Sequence, residues 1–392
     1  MRSSFRNSLF SEFAKIKKKC NFVQIHSNQY SLKNRAANIL LYPLSILYGL
    51  ITGARNRLFD ANVLKQTSFS LPIISIGNLS VGGTGKTPHT EFVLSILHKE
   101  WKTAVLSRGY KRNSKGFLLA NDKSTSQLIG DEPYQIHLKF PRVKVAVDEK
   151  RVRGIQKLQQ QLPSLQVVVL DDAFQHRYVH PGLSILLTDF NSLYSRDTLL
   201  PMGRLREWSA GSKRADIIVV TKCPGDLRPI DMRLIETELC IEHKQSLFFS
   251  MYEYADIVPV FNNRSTKKTA RIRLNSSYGI LLVAGIVSPQ AIVEHLKNFT
   301  ECVQTMFFPD HYDFKKSDFI NIQKAFESIA NSHKIILVTE KDASRIISNP
   351  YFPEKLKSKI FSLPIEVKIL HDEESVFTQK IIDYVVENSR GC

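Results

Sequence analysis

The chain has 392 residues, 43% of them hydrophobic and 23% charged, with a formal net charge of +17 and an isoelectric point near 9.6. This is globular composition at a length suited to roughly two domains, with cores large enough to dispense with disulfide staples. Five scattered cysteines (Cys20, Cys223, Cys240, Cys302, Cys392) lack CxxC spacing, which argues against a zinc site or a disulfide framework, and no RNP-like, zinc-finger or helix-turn-helix signature accompanies the basic charge.

Residues 1–35 read as a basic extension containing "KIKKKC". Residues 36–70 hold "AANILLYPLSILYGLITGARNRLF", whose apolar run from Ile39 to Ile51 is interrupted by Pro43. That run is shorter than the 20 or so residues a bilayer crossing takes, and no small-x-small cleavage site follows. It is either a buried N-terminal helix or an interfacial helix lying in a membrane surface, with Arg55 and Arg57 at the headgroups.

From residue 71 to about 222, short apolar runs alternate with helical stretches. "PIISIG", "TAVLSRG", "VKVAV", "LQVVVLDD", "LSILLTD" and "ADIIVVTK" read as strands, and "PHTEFVLSILHKE" as a helix. Runs apolar on both faces suit parallel strands covered by helices, so the fold class is α/β with a mainly parallel sheet. Residues 223–277 look less regular and strand-poor, with the basic patch "NNRSTKKTARIR" at 262–273. A smaller α/β lobe follows, with "YGILLVAGI" as a strand, "SPQAIVEHLKNF" as a helix, "HKIILVTEKDA" as a strand and turn, and "VFTQKIIDYVVEN" as the closing helix. The expected division is a large domain at 71–255, a linker or hairpin at 256–277 and a small lobe at 278–392.

The segment "SVGGTGKTP" lies between a predicted strand and a predicted helix, as a phosphate loop requires. Backbone N–H groups of Ser80, Val81, Gly82, Gly83, Thr84, Gly85, Lys86 and Thr87 are expected to cradle ATP phosphates at the helix N-terminus. Lys86 would reach the β- and γ-phosphates, and the Thr87 hydroxyl would ligate Mg²⁺. Ser80 stands where the usual spacing has a glycine. A second magnesium anchor is offered by Asp171 and Asp172 at the carboxyl end of an apolar strand.

Further polar clusters follow predicted strands of the same sheet and are candidates to bind substrate at its rim. They comprise Ser107 and Arg108 in "SRGYKR", Asp131 and Glu132 in "GDEP", Gln175 and His176 in "FQHR", and Arg204, Arg206 and Glu207 in "GRLRE". Arginine suits bidentate recognition of phosphate.

The ordered series "GNLSVGGTGKTP", "SRGY", "GDEP", "LDDAFQHR", "LLPMGRLRE", "FPDHYDF" and "TEKDA" resembles the tetraacyldisaccharide 4'-kinase family of lipid A biosynthesis, over roughly residues 36 to 345. That family also lacks the first glycine at the Ser80 position. This chain departs from it at Ala173, where the family usually reads "DDGFQH", and in its long basic extension. The resemblance implies transfer of the γ-phosphate of ATP to the 4'-hydroxyl of a membrane-embedded tetraacyldisaccharide 1-phosphate, giving lipid IVA at the cytoplasmic face of the bacterial inner membrane. It also implies a membrane-associated N-terminal helix and a small lobe joined by two strands; no obligate protein partner and no nucleic acid are expected.

A sugar hydroxyl is a poor nucleophile, so a carboxylate must take its proton. Asp131 is the residue the matched motif puts in that role, with His311 of "FPDHYDF" supporting it from the small lobe. Lys86 and Mg²⁺ would offset charge on the transferred group. The alternative is a nucleotide switch acting through partners. "VVTKCPGD" faintly resembles a guanine-reading loop, but Asp226 follows Lys222 by four residues rather than two.

Overall fold

The computed structural model describes residues 33–261, 272–286 and 289–389. Most of the basic extension and most of the basic patch at 262–273 therefore lie outside the described residues. The strands are β1 Ile73–Asn78, β2 Thr103–Ser107, β3 Leu118–Leu119, β4 Lys144–Val147, β5 Val167–Asp171, β6 Leu183–Asp189, β7 Ile217–Thr221 and β8 Ser246–Tyr254. After them come β9 Val258–Pro259, β10 Tyr278–Ala284, β11 Val303–Phe307, β12 His333–Thr339, β13 Ile360–Leu363 and β14 Ile365–Ile369.

The larger sheet has nine strands in the order β14-β8-β7-β6-β1-β5-β2-β4-β3. Only its two margins, β3 against β4 and β14 against β8, are antiparallel. The smaller sheet runs β11-β10-β12-β13-β9, with β9 antiparallel. Strands such as β5 (VVVLD) and β7 (IIVVT) are buried at every position, because helices cover both faces.

On one face of the large sheet pack α2 (Lys86–Leu97), α3 (Asp131–Lys139) and α9 (Glu374–Ser389), through Val93, Leu94, Ile136, Phe377 and Ile381. On the other lie α4 (Arg151–Gln161), through Ile155 and Leu158, and α5 (Pro229–Leu239), through Ile235 and Leu239. The small sheet is covered by α6 (Gln290–Lys297) on one face and by α7 (Lys316–Ser328) and α8 (Glu340–Ile347) on the other.

Three expectations are corrected. The stretch 223–277 is not strand-poor, since it contains α5 and β8, at nine residues the longest of the described strands. Ser250, Tyr252 and Glu253 interrupt the apolar run of β8, yet its residues still pack on both faces of the sheet. The chain from 278 onward does not all stay in the small lobe, because β14 pairs with β8 and α9 covers the large sheet. The lobes are thus joined by two adjacent crossings, at 254–258 and 363–365, linked by Ala255 N–H donating to Pro364 O at 3.1 Å. Finally, "EKDA" is the first turn of α8 rather than a turn after a strand; Thr339 caps it by accepting from the Asp342 amide.

The N-terminal helix α1 (Lys33–Asp60) runs for 28 residues with Pro43 inside it. Its inner side is a row at helical spacing, Ser45, Tyr48, Gly49, Gly53 and Asn56, laid on residues 199–208. Ser45 Oγ donates to Leu199 O (3.1 Å), Tyr48 Oη to Arg206 O (2.8 Å), and Trp208 Nε1 to Gly49 O (2.8 Å). Tyr42, Leu44, Ile46, Leu47, Leu50 and Ile51 are exposed along the outer side. No helix among the described residues is long and apolar enough to cross a membrane.

A Cβ on Gly49 would meet Leu199 Cδ1 at 2.5 Å and Trp208 Cζ2 at 2.7 Å. Gly49→Val should therefore cost about 1–3 kcal/mol of stability, as overpacking does, read as a lowered midpoint in urea unfolding. Leu50→Val on the outer side should leave that midpoint unchanged.

Candidate active site

Residues 79–85 connect β1 to α2, and the backbone of this loop is held from three sides. The buried Asn78 side chain donates to Ser80 O (2.6 Å) and Thr84 Oγ1 (2.7 Å). Thr221 Oγ1 donates to Thr84 O (2.9 Å), and Lys222 Nζ donates to Gly83 O and to Asp189 Oδ2 (2.7 Å). Val81 N–H donates to Arg204 O, and Arg206 N–H to Leu79 O, each at 2.7 Å. Ser80, in place of the expected glycine, forms an antiparallel bridge with Leu205. The Val81 amide, expected to face phosphate, is instead committed to that bridge.

Gly82 and Gly85 have φ of 115° and 86°, values side chains rarely adopt. A Cβ on Gly85 would fall 1.9 Å from Tyr252 Oη, whereas Gly82 and Gly83 open onto space with nothing within 4 Å. That opening sits at the N-terminus of α2, where Lys86 and Thr87 form the first turn. Beneath it, His89 Nδ1 donates to Gly85 O (2.8 Å) and Nε2 lies 2.9 Å from Ser250 Oγ. Burial lowers the pKa of His89 from 6.5 to about 4.

Asp171 and Asp172, at the carboxyl end of β5, differ sharply. Asp171 is buried, with Oδ1 accepting from Thr90 Oγ1 and Oδ2 from Ser107 Oγ, both at 3.1 Å. Burial, and then the charges of Asp172 and Glu132, push its pKa up. Asp172, at φ 47°, lies 3.8 Å from Lys86 Nζ and 2.9 Å from Arg206 Nη1. Burial alone would raise its carboxyl, but Lys86 and Arg206 outweigh burial and hold it below the usual range. With Thr87, these groups supply hydroxyl and carboxylate oxygens, the donors a hard cation such as Mg²⁺ takes. Among the described residues no group of three or more His, Cys, Asp or Glu is placed to hold a metal ion by itself. Ala173 takes the place of glycine without positive φ; its amide donates to Ile76 O (3.2 Å) and its methyl is buried.

The predicted rim residues divide. Arg206 and Gln175 gather at Asp172, with Gln175 Oε1 accepting from Arg206 Nη1 at 3.2 Å. His176 is half-buried, and burial followed by the charges of Arg151, Arg108 and Arg55 lowers it to about 4. Arg108 is exposed after β2. Three residues are placed otherwise than expected. Ser107 is bonded to Asp171. Arg204 points to Asp197 (3.1 Å) on its own loop. Glu207 is buried, accepting from Arg214, Asn56 and Gln175, so it anchors α1 to the rim.

Sequence reasoning missed Arg151, which is 1% exposed and donates to Asp148 O (2.5 Å) and Asp171 O (3.1 Å). Nothing in "DEKRVRG" marks it among so many arginines.

Asp131 is the first residue of α3, after Gly130 at φ 94°. His311, at φ 59° in the small lobe, brings Nδ1 to 3.1 Å from Asp131 Oδ2. Arg345 of α8 reaches the same oxygen through Nε (2.9 Å) and Nη2 (2.8 Å). Lys341 Nζ lies 3.1 Å from His311 Nε2, 3.0 Å from Asp310 Oδ1 and 3.5 Å from Glu132. Lys341 and Arg345 come from "TEKDASR"; its "TEKDA" belongs to the motif series of the resemblance, but no site residue was expected in it.

His89 fixes a pH dependence. In the unfolded chain it takes a proton near pH 6.5, in the fold only near 4, so stability present above 6.5 is lost as pH falls toward 4. The loss from this group is about 3 kcal/mol, and His176 adds in the same direction. Urea unfolding at pH 7 and pH 4.5 should show it, with a smaller difference in His89→Gln.

A family model described as tetraacyldisaccharide-1-P 4'-kinase matches residues 37–385. A Bacteroides thetaiotaomicron protein named tetraacyldisaccharide 4'-kinase is 50% identical over 357 residues, 90% of this chain and 94% of that one. A Bacteroides fragilis protein of the same name is 47% identical over 353 residues, covering 90% and 94%. The fold is also similar to a crystal structure of LpxK from Aquifex aeolicus in complex with ATP, at a TM-score of 0.68 and 29% identity, covering 89% of this chain and 99% of that one. Matched along almost its whole described length, with the phosphate loop and acidic pair in place, the chain belongs to the tetraacyldisaccharide-1-P 4'-kinase family.

Proposed function

We propose that this chain transfers the γ-phosphoryl group of ATP to the 4'-hydroxyl of a tetraacyldisaccharide 1-phosphate, the step that yields lipid IVA in lipid A biosynthesis. The observation that carries the reading is Asp131. It is a carboxylate on the large domain, gripped by His311 and Arg345 of the small lobe, and it stands on the same helix start as Glu132, whose charge reaches the acidic pair. The acceptor oxygen forms a bond to the γ-phosphorus, the bond from that phosphorus to the β–γ bridging oxygen breaks, and Asp131 takes the hydroxyl proton.

Lys86, 3.8 Å from Asp172, is the cation that meets charge building on the transferred group. Mg²⁺, held by Thr87 with Asp171 or Asp172, would supply further charge neutralisation at the phosphates. Arg206 is placed by its own backbone bond to Leu79 O and by Asp172 to receive a phosphate of either substrate. Because Asp131 lies on the large domain and His311 and Arg345 on the small lobe, approach of the lobes completes the site.

The acceptor's acyl chains make leaving the bilayer costly, at about 0.8 kcal/mol per buried CH₂. The exposed apolar side of α1 is therefore read as lying in the membrane surface, at the cytoplasmic face of the inner membrane, where ATP is available. A nucleotide switch is not favoured: Lys222 is committed to Gly83 O and Asp189, and nothing in that reading uses the Asp131 grip.

The test is transfer of labelled phosphate from ATP to tetraacyldisaccharide 1-phosphate in detergent micelles. Asp131→Asn should lower kcat by about 10²–10⁴ with ATP binding retained, and Lys86→Ala should lower it by at least about 10². ATP binding by the wild-type protein without any transfer would sink the proposed acceptor. For the helix, Leu47→Gln with Leu50→Gln should weaken flotation with anionic vesicles about tenfold or more, leaving ATP affinity unchanged.

A further inference from the structure

We infer that Arg345 is a positioning residue for phosphoryl transfer: its guanidinium grips one oxygen of Asp131 and so presents the other to the acceptor hydroxyl. The inference rests on Asp131 being the base proposed above. Arg345 Nε and Nη2 both donate to Oδ2, at 2.9 and 2.8 Å, and His311 Nδ1 lies 3.1 Å from the same atom. Among the described residues no hydrogen bond is made to Oδ1. A side-on fork spanning both oxygens would have occupied the base. Two donors converging on one oxygen leave the other available and stop the carboxylate turning about its own axis.

The grip is stiff because its root is buried. Arg345 Nη1 donates to Oδ1 of Asp342 (3.1 Å), which is 0% exposed. Oδ2 of Asp342 accepts from Gly285 N–H (2.9 Å) and from Thr339 Oγ1 (2.7 Å). A Cβ on Gly285 would stand 2.9 Å from Asp342 Oδ1, so the close approach of this carboxylate to the backbone needs glycine there. Thr339 caps α8 and Gly285 follows β10, so two elements of the small lobe fix Asp342, which in turn fixes Arg345.

Lys341 lies one turn before Arg345 on α8, with Nζ 3.1 Å from His311 Nε2, while His311 Nδ1 lies 3.1 Å from Asp131 Oδ2 and 3.3 Å from Arg345 Nη2. One helix of the small lobe thereby orients both partners of a carboxylate on the large domain. Arginine is needed for this, since a lysine offers a single ammonium point and cannot place two donors on one oxygen while a third is tied to Asp342.

The experiment measures kcat, KM for ATP and the unfolding midpoint for Arg345→Ala, Arg345→Lys, Asp131→Asn and the Arg345→Ala/Asp131→Asn double variant. Expected are a loss in kcat of about 10² for Arg345→Ala, the scale of a misplaced reacting group, with KM for ATP within about threefold. Arg345→Lys should recover less than about a tenth of wild-type kcat, millimolar guanidinium should partly restore Arg345→Ala, and the double variant should be no slower than Asp131→Asn alone. Wild-type kcat in Arg345→Lys, or full additivity in the double variant, would overturn the inference and leave Arg345 a charge linking the lobes. If Arg345→Ala does not fold, Arg345→Lys decides alone by the same kcat criterion. Near-wild-type transfer by Asp131→Asn would be a different failure: the proposed base would be wrong, and the role of Arg345 with it.

Discussion

Parallel pairing of β1 between β5 and β6 aligns their carboxyl ends, with Ile76 opposite Asp171 on one side and Asn78 opposite Leu187 on the other. Chain emerging from these strands has to turn at the same rim, where it meets the N-terminus of α2. The phosphate loop, the acidic pair and Lys222 after β7 are neighbours for that reason, although they lie far apart in sequence. Asp172, Lys222 and His311 hold left-handed φ values of 47°, 59° and 59° that L side chains seldom adopt. Strained backbone of this kind persists where the surroundings over-determine it, as they do around a site.

The loop at 197–208 carries the site outward to the surface helix. Its backbone is bonded to both sides of the phosphate loop's entry, through Val81 and Leu79, while Arg206 pairs with Asp172 and Glu207 holds Asn56 of α1. The helix that presents an apolar face to the outside is therefore tied to the phosphate cradle through a single short loop. With α1 in the membrane surface as proposed, an acceptor would arrive on the side of the rim to which this loop ties the helix.

The lobes share more than their two crossing strands. Lys139 Nζ on the large domain bonds Glu91 at 2.6 Å and Glu340 of the small lobe at 2.7 Å, which anchors the first residue of α8 near α3. Arg345 lies in the last turn of the same helix, so α8 runs from the Lys139 contact to the Asp131 contact alongside α3. A motion separating the lobes would break both contacts together. The Arg345–Asp131 pair is the more buried of the two; such a pair contributes little net stability but costs much when one partner is removed, which suits an interface that sets geometry.

Much of this is legible in the residues themselves. The strands of the large sheet show as runs of Val, Ile and Leu, because burial on both faces leaves no polar position to blur them. The phosphate loop shows because only glycine serves at Gly82 and Gly85 and only a lysine serves at position 86. The motif series carries the family. By contrast, β8 escapes a reading by pattern because Ser250, Tyr252 and Glu253 dilute its apolar run, and α9 reads as part of the lobe that precedes it in sequence. Ser107, Arg204 and Glu207 read as substrate contacts because composition records that a polar residue is present, not which neighbour satisfies it. Local pattern determined the elements, the nucleotide loop and the acidic strand end, since these depend on residues adjacent in the chain. Tertiary structure alone decided that Asp131 meets His311 and Arg345 across 180 and 214 positions of sequence. Such pairings are set by how two lobes pack, and no periodicity within either one encodes them.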